Sequence, residues 1–346
     1  MLIYDLLKVL YSKYISLLKK ITIKKILNAF KIWISYFISK NTKRPISSGF
    51  PISMSIEPTT SCNLRCPECP SGLRNFTRPT GMLNPTFFKH TIDSVHKELI
   101  YLTFYFQGEP YLNPHFLDMV KYASEKGIYT STSTNAHFLS KEQAVKTVES
   151  KLDKLIISID GTTQETYQQY RVGGDLQKVI DGTKHIIWAK NKLKSKYPHI
   201  VFQFLVVQPN EHQINDVQKL AKELGVNEVT FKTAQFYNHI NGNKLMPENL
   251  AYSRYKKNAD GTYSIKNKLL NQCWRMWSSC VITWDGLVVP CCFDKDAHHQ
   301  MGDLKKEPFQ TLWRSDKYQK FRRSILKSRQ EIDICKNCSE GTKVWT

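Results

Sequence analysis

The stretch Ser53-Met54-Ser55-Ile56-Glu57-Pro58-Thr59-Thr60-Ser61-Cys62-Asn63-Leu64-Arg65-Cys66-Pro67-Glu68-Cys69 runs a β-rich segment straight into three closely spaced cysteines. The segment Ser53–Thr59 is the first of six such runs. The others are Leu102–Glu109, Tyr129–Ala136, Lys154–Gly161, Val201–Gln208 and Val229–Gln235. Helix signals lie between them. Asn84 with Pro85, and Asn113 with Pro114, have the form of a cap followed by a first-turn proline, and Ser140 can cap a third helix. Leu176–Lys194 and Glu211–Leu224 are amphipathic, the latter stopped at Gly225. Strand–helix units in series predict parallel strands with right-handed crossovers. The expected fold is α/β, a partial (β/α)6 TIM-like barrel over residues 50–240. A linker over 241–268 and a small cysteine-rich β-hairpin/helix domain over 269–346 follow it; amphipathic basic helices over 1–45 precede it. Chemistry then belongs where strand carboxyl ends meet loops, which is where the cysteines fall.

Cys62, Cys66 and Cys69 on one short loop can hold three irons of a cubane and leave the fourth open. An open position is what separates a reactive metal centre from a closed structural one. A zinc site or an inert iron–sulfur site is the alternative, and would need a fourth ligand. The CxxxCxxC run resembles the defining motif of the radical S-adenosylmethionine (SAM) superfamily. That resemblance implies that SAM chelates the open iron and is cleaved reductively to methionine and a 5′-deoxyadenosyl radical. The radical then abstracts a substrate hydrogen. Glu68 departs from the pattern, since many members have an aromatic residue before the third cysteine.

Further stretches carry the same resemblance. Gln107-Gly108-Glu109-Pro110 is similar to the family's GGE-type motif, which implies contact of Gly108, Glu109 and Pro110 with the SAM amine. Ser133 and Asn135, two apart on one strand face, and Ser158 and Asp160 stand where the family has cofactor contacts. In Tyr170-Arg171-Val172-Gly173-Gly174, Arg171 is the candidate partner of the SAM carboxylate. For each of these a strand-end turn residue or surface residue is the plain alternative.

Six of the nine cysteines lie beyond residue 272. VITWDGLVVPCC reads as a hairpin turning at Asp285-Gly286, and a CxxC closes the series. This resembles the SPASM/Twitch extension of radical SAM enzymes. The resemblance implies one auxiliary 4Fe–4S cluster on Cys273, Cys291, Cys335 and Cys338. A zinc ribbon is the other reading of the same residues. Cys292 suits a small core position, and Cys280 is an alternative to Cys273.

The formal charge is +20, and Asp5 is the only acid among the first 56 residues. Lys8–Lys20 and Lys24–Arg44 flank two apolar stripes with a break near Thr22. The second stripe runs Ile23, Ile26, Leu27, Phe30, Trp33, Ile34, Phe37. Either these helices cap the enzyme body, or they lie on an anionic membrane surface. With no cleavable signal and cysteines suited to metal, the expected location is cytoplasmic, with peripheral contact at the inner face of the membrane through residues 1–45. No nucleic-acid motif accompanies the charge. The expected reaction is oxidation or epimerisation of a sugar-like or lipid-linked small molecule, with a reductant such as flavodoxin or ferredoxin. Peptide or protein maturation, and a noncatalytic metal-binding scaffold, are the alternatives. Lys232, Gln235, Tyr255, Arg275, Asp294 and Lys295 are the candidate substrate contacts.

Overall fold

Strands β1 (Ser53–Ile56), β2 (Tyr101–Thr103), β3 (Tyr129–Thr134), β4 (Lys154–Ser158), β5 (His199–Val206) and β6 (Glu228–Thr233) lie side by side in chain order, every pair parallel. The computed structural model from which this is drawn describes residues 16–339. Apart from β5, which matches its run in length but starts two residues earlier, the strands are shorter than the β-rich runs, because the last residues of each run leave the ladder to form the loops above it. Local chemistry starts the helices between them. Asn84 accepts from the N–H groups of Thr86 and Phe87 and opens Pro85–Val95, and Ser140 accepts from Gln143 and opens Lys141–Glu149. Such caps contribute about 1 kcal/mol each. The Asn113 side chain accepts from the His115 N–H at 3.0 Å, as a cap would, but no α-helix begins there. Its amide donates to the Pro58 and Leu83 carbonyls, and the helix starts later, at Phe116. The helix expected from Glu211 begins as a 3-10 turn over Gln208–Gln213 and becomes α-helical over Ile214–Leu224.

The carboxy-terminal hairpin differs from a separate appendage. Strand β7 (Tyr255–Lys257) pairs with β8 (Tyr263–Ile265), so residues 241–268 are more than a linker. Strand β9 (Ser279–Ile282) then joins β1 in parallel, with Ser53 opposite Ser279 and Met54 opposite Cys280. Strands β10 (Leu287–Val289) and β11 (Gly302–Asp303) add to it antiparallel, giving a nine-stranded sheet ordered β11-β10-β9-β1-β2-β3-β4-β5-β6. The physical reason is an edge: without β9, one side of β1 would present unpaired backbone groups. Two buried tryptophans lock this arrangement. Trp277 donates to the Ile46 carbonyl at 2.7 Å and Trp313 to the Gly49 carbonyl at 2.9 Å, so each large apolar surface is buried with its polar atom satisfied.

Helix α1 (Ile23–Thr42) is capped by Thr22, where the sequence breaks between its two stripes. The first apolar stripe runs from Ile3 to Leu18, and its members from Ile3 to Tyr14 lie outside the described residues. Among the described residues no helix is long and apolar enough to cross a membrane.

Candidate active site

The loops above β1 to β4 enclose a cavity of about 270 Å³, lined by Cys62, Cys66 and Cys69 on one side and by Gly108, Glu109, Ser133, Asn135, Ser158 and Arg171 around it. The cysteine loop is held in place by backbone contacts. Arg65 N–H donates to the Val172 carbonyl, and Glu109 N–H to the Ser61 carbonyl at 2.8 Å. Gly108 has φ +74, and a Cβ there would stand 2.2 Å from the Thr59 carbonyl oxygen. Only glycine lets the second loop lie this close to the first.

Most polar groups around the cavity are already paired. Glu109 accepts from the Thr134 hydroxyl at 2.7 Å and from the Asn135 N–H at 2.8 Å; burial still pushes its carboxyl up to about 7. Asn135 donates to the Asn63 side chain, and the Ser133 and Ser158 hydroxyls stand 3.4 Å apart. Arg171 donates through Nε to Asp160 at 2.5 Å and through Nη1 to the Cys66 sulfur at 3.8 Å. Burial opposes its charge, but Asp160 holds the guanidinium protonated. Asp160 is fully buried, its second oxygen accepting from Leu205 N–H at 2.7 Å. It stands behind the cavity, where it fixes Arg171. Pro110 likewise sits beside the cavity, opening the 3-10 turn Pro110–Leu112.

Glu68, the departure in the triad, has a structural use. Its carboxylate accepts from the Asn243 side chain at 2.8 Å and from Tyr237 N–H at 3.1 Å, tying the cysteine loop to the segment after β6. The Tyr237 hydroxyl in turn accepts from Lys295 Nζ at 3.1 Å, and Lys295 reaches the same cavity. Of the six candidate substrate contacts, Lys295 is the one that lines this cavity. Lys232 is exposed on β6, Tyr255 bonds Asn337, and Asp294 accepts from the N–H groups of His298 and His299. Arg78 fixes the Lys295 backbone: it grips buried Glu57 with both guanidinium nitrogens, at 2.6 and 2.8 Å, and donates to the Lys295 carbonyl through Nε.

Lys295 follows Cys291 by four residues and interacts electrostatically with both Cys69 of the triad and Cys292. Cys291 interacts electrostatically with Cys273 and Cys335, and Cys335 with Cys273 and Cys338. Arg329 donates to the Cys338 sulfur at 3.1 Å, the counterpart of Arg171 at Cys66. Burial raises the Cys291 thiol and pushes those of Cys335 and Cys62 up to about 12. Thiols in such surroundings keep their protons until a metal displaces them. Cys280, by contrast, lies in the main core beside Tyr318 and Arg322. Cys292 packs with Val281, Val289 and Ala297. Among the described residues no three histidine, cysteine or acidic side chains close on a single ion. In a cubane each thiolate serves a different iron, so its ligands stand further apart than the four around one zinc.

Two family models match: the radical SAM superfamily over residues 56–224, and the SPASM iron-sulfur cluster-binding domain over residues 273–339. The chain belongs to the radical SAM superfamily. Its carboxy-terminal region is a SPASM domain. As a radical SAM protein with that extension, it uses SAM and a 4Fe–4S cluster, with auxiliary iron–sulfur binding in the SPASM region.

A tungsten-containing aldehyde ferredoxin oxidoreductase cofactor-modifying protein of Pyrococcus furiosus is 24% identical over 82% of this radical SAM chain and 86% of its own. An AdoMet-dependent heme synthase of Methanosarcina barkeri is 29% identical over 49% of this chain and 46% of its own length. A mycofactocin maturase of Mycobacterium ulcerans is 26% identical over 51% and 45%. This chain therefore matches about half the length of those last two relatives. Among solved structures, anSMEcpe with bound AdoMet is similar with a TM-score of 0.62 at 19% identity, covering 85% of this chain and 86% of that one. SuiB of Streptococcus suis bound to the precursor peptide SuiA has a TM-score of 0.62 at 14% identity, covering 85% and 72%. These structural likenesses show a shared fold.

Proposed function

We propose that this radical SAM protein is a maturase that abstracts hydrogen from a peptide substrate. The observation that carries it is the common wall: Lys295, four residues from Cys291, lines the cavity of the Cys62–Cys66–Cys69 triad. Substrate in that cavity would lie against Lys295, which interacts electrostatically with Cys69 and with Cys292, the neighbour of Cys291. The choice of peptide over a sugar-like or lipid-linked molecule is supported by relatives named mycofactocin maturase and PqqA peptide cyclase. Bound SAM supplies, on one-electron reduction, the radical that takes the hydrogen, so a donor such as flavodoxin or ferredoxin belongs to this reading.

The chain's own residues divide the work. Cys62, Cys66 and Cys69 hold the first cluster, and Cys273, Cys291, Cys335 and Cys338 the auxiliary one. Glu109, buried and still with acceptor capacity, receives the SAM ammonium. The Ser133 and Ser158 hydroxyls hold the ribose side. Arg171 is engaged by Asp160, so its part is to set charge beside Cys66 and orient the loop. Lys295 and Tyr237 face the substrate.

The test is anaerobic reconstitution, then incubation with SAM, dithionite and the short peptides encoded beside the gene. The expected result is 5′-deoxyadenosine together with a peptide that has lost two hydrogens, one as the atom carried off in 5′-deoxyadenosine and one as a proton whose electron would pass to the auxiliary cluster. Turnover of polyols or aminocyclitols with every peptide unchanged would overturn the peptide reading. Protein with a filled, reducible cluster that yields no 5′-deoxyadenosine would overturn the enzyme.

A further inference from the structure

Helix α1 is docked inside out. A surface helix ordinarily buries its apolar stripe and shows water its polar face. Here the seam against the protein is Lys25, Asn28, Ile32, Ser35 and Ser39. Lys25 donates to the Gly127 carbonyl at 2.6 Å. Asn28 exchanges two hydrogen bonds with the Phe50 backbone, at 2.8 and 2.9 Å. Ser35 meets Ser48, and Ser39 accepts from Ile46 N–H. The opposite face carries Ile23, Ile26, Leu27, Phe30, Trp33 and Phe37, each more than half exposed, from 54% to 78%. Phe30, Trp33 and Phe37 stack in a row, with ring centroids 6.1 and 5.8 Å apart. Six large apolar side chains on one helical face form a contiguous patch, and patches of this kind mark interaction surfaces.

We propose that this face of α1 lies in the interfacial region of an anionic lipid bilayer, with the active-site mouth turned away from the lipid. The charge around the patch selects the partner. No acidic residue occurs between Asp5 and Glu57, while Lys19, Lys24, Lys31, Lys40, Lys43 and Arg44 are exposed on or beside the helix. Lys24 also pairs with Glu98, on the protein body, at 2.9 Å. Aromatic and aliphatic residues on one face with lysines at its margins suit headgroup phosphates above and acyl chains below. A protein partner for this face would need acidic groups placed to match each lysine; an anionic bilayer meets them in any register.

Topology sets the orientation. The groups that hold α1 are Phe50, Gly127 and, through Lys20 at 2.5 Å, Asp153; these precede β1, β3 and β4. The cavity residues follow the same strands at their other ends. Thus α1 closes the floor of the barrel, and its apolar face looks outward from that floor. A bilayer there leaves the cavity open to water, a geometry that admits a soluble substrate.

The full chain is sedimented with vesicles of phosphatidylcholine alone, and with vesicles of equal parts phosphatidylcholine and phosphatidylglycerol. The expected result is binding to the mixed vesicles, weakened by added salt, and little binding to phosphatidylcholine. The variant F30S/W33S/F37S leaves the polar seam intact and should bind about tenfold more weakly or worse. K31Q/K40Q should weaken only the phosphatidylglycerol-dependent part. Intact protein that stays in the supernatant with mixed vesicles overturns the proposal. So does a dimer in sedimentation velocity that F30S/W33S/F37S dissociates without any vesicle binding, which would assign the face to a second copy. Vesicle-bound protein that forms 5′-deoxyadenosine only after release from lipid would overturn the orientation.

Discussion

Arg171 places Nη1 3.8 Å from the Cys66 sulfur while its Nε holds buried Asp160 at 2.5 Å. Removing the guanidinium therefore has two separable effects. R171M leaves Asp160 buried and unpaired, and a stability loss of about 3–5 kcal/mol is expected. R171M/D160N removes the orphan charge and should recover most of that loss in thermal unfolding. The positive charge beside Cys66 remains absent in both. Hydrogen bonds and charge near cluster sulfurs tune the potential, so both variants should show a more negative cluster potential by redox titration. A double variant with the parent potential would remove Arg171 from that role.

Gly108 and Gly127 make a matched pair. Both have positive φ, +74 and +72, but a Cβ at Gly108 meets the Thr59 carbonyl at 2.2 Å whereas one at Gly127 meets nothing within 4 Å. G127A should lose about 1–2 kcal/mol, the ordinary cost of a left-handed backbone for an L-residue. G108A should lose clearly more, and should also lower cluster loading because the two loops must separate. Equal melting temperatures for the two variants would show that the loop contact is dispensable.

Arg78 and Glu57 are a buried bidentate pair whose partners include the Lys295 backbone. Burial pushes Glu57 above the usual carboxylate range, with Arg78 pulling it back. In R78M that pull is gone, and a loss of about 3–5 kcal/mol near neutral pH is expected. The sign with pH follows from proton counting. A raised folded-state pKa means the folded protein binds more protons than the unfolded chain between the ordinary and raised values. Stability of R78M therefore falls as pH rises through that window and recovers as pH drops toward the ordinary value. Denaturant titrations from about pH 7 down to about pH 5 should show the gap to the parent narrowing; a constant gap would refute the assignment.

Legibility divided along the same line as locality. Asn84 and Ser140 announce their helices because a cap acts within three residues. Six β-rich runs separated by helix signals announce a parallel sheet, and Asp285-Gly286 announces its hairpin. The pairing of β9 with β1 joins residues more than two hundred positions apart, and nothing near Ser279 states it. Asp160 looks like a cofactor contact from its position and Glu68 like a departure from the motif, but their partners, Arg171 with Leu205 and Asn243 with Tyr237, come from distant loops. Arg329 carries no local signal for its contact with Cys338. For α1 the periodicity identifies two faces. Which of them turns inward depends on acceptors such as the Phe50 and Gly127 carbonyls, supplied by the barrel floor.

The cysteines beyond residue 272 separate by surroundings, and iron content should separate them the same way. Cys335 and Cys338 adjoin Arg329, and Cys335 interacts electrostatically with Cys273 and Cys291. Cys280 is 1% exposed in the core, beside Tyr318 and Arg322. Two cubanes would hold about eight irons per chain, and C335S/C338S should lower that to about four without touching the first cluster. C280A should keep the full complement and lose only packing, about 1–2 kcal/mol for a small buried side chain. Analysis of iron and acid-labile sulfide after anaerobic reconstitution reads both variants. Zinc in place of half the iron in the parent protein would make the second site structural, and electron transfer through it would fall with it. Iron lost from C280A, with C335S/C338S intact, would reverse the assignment of ligands.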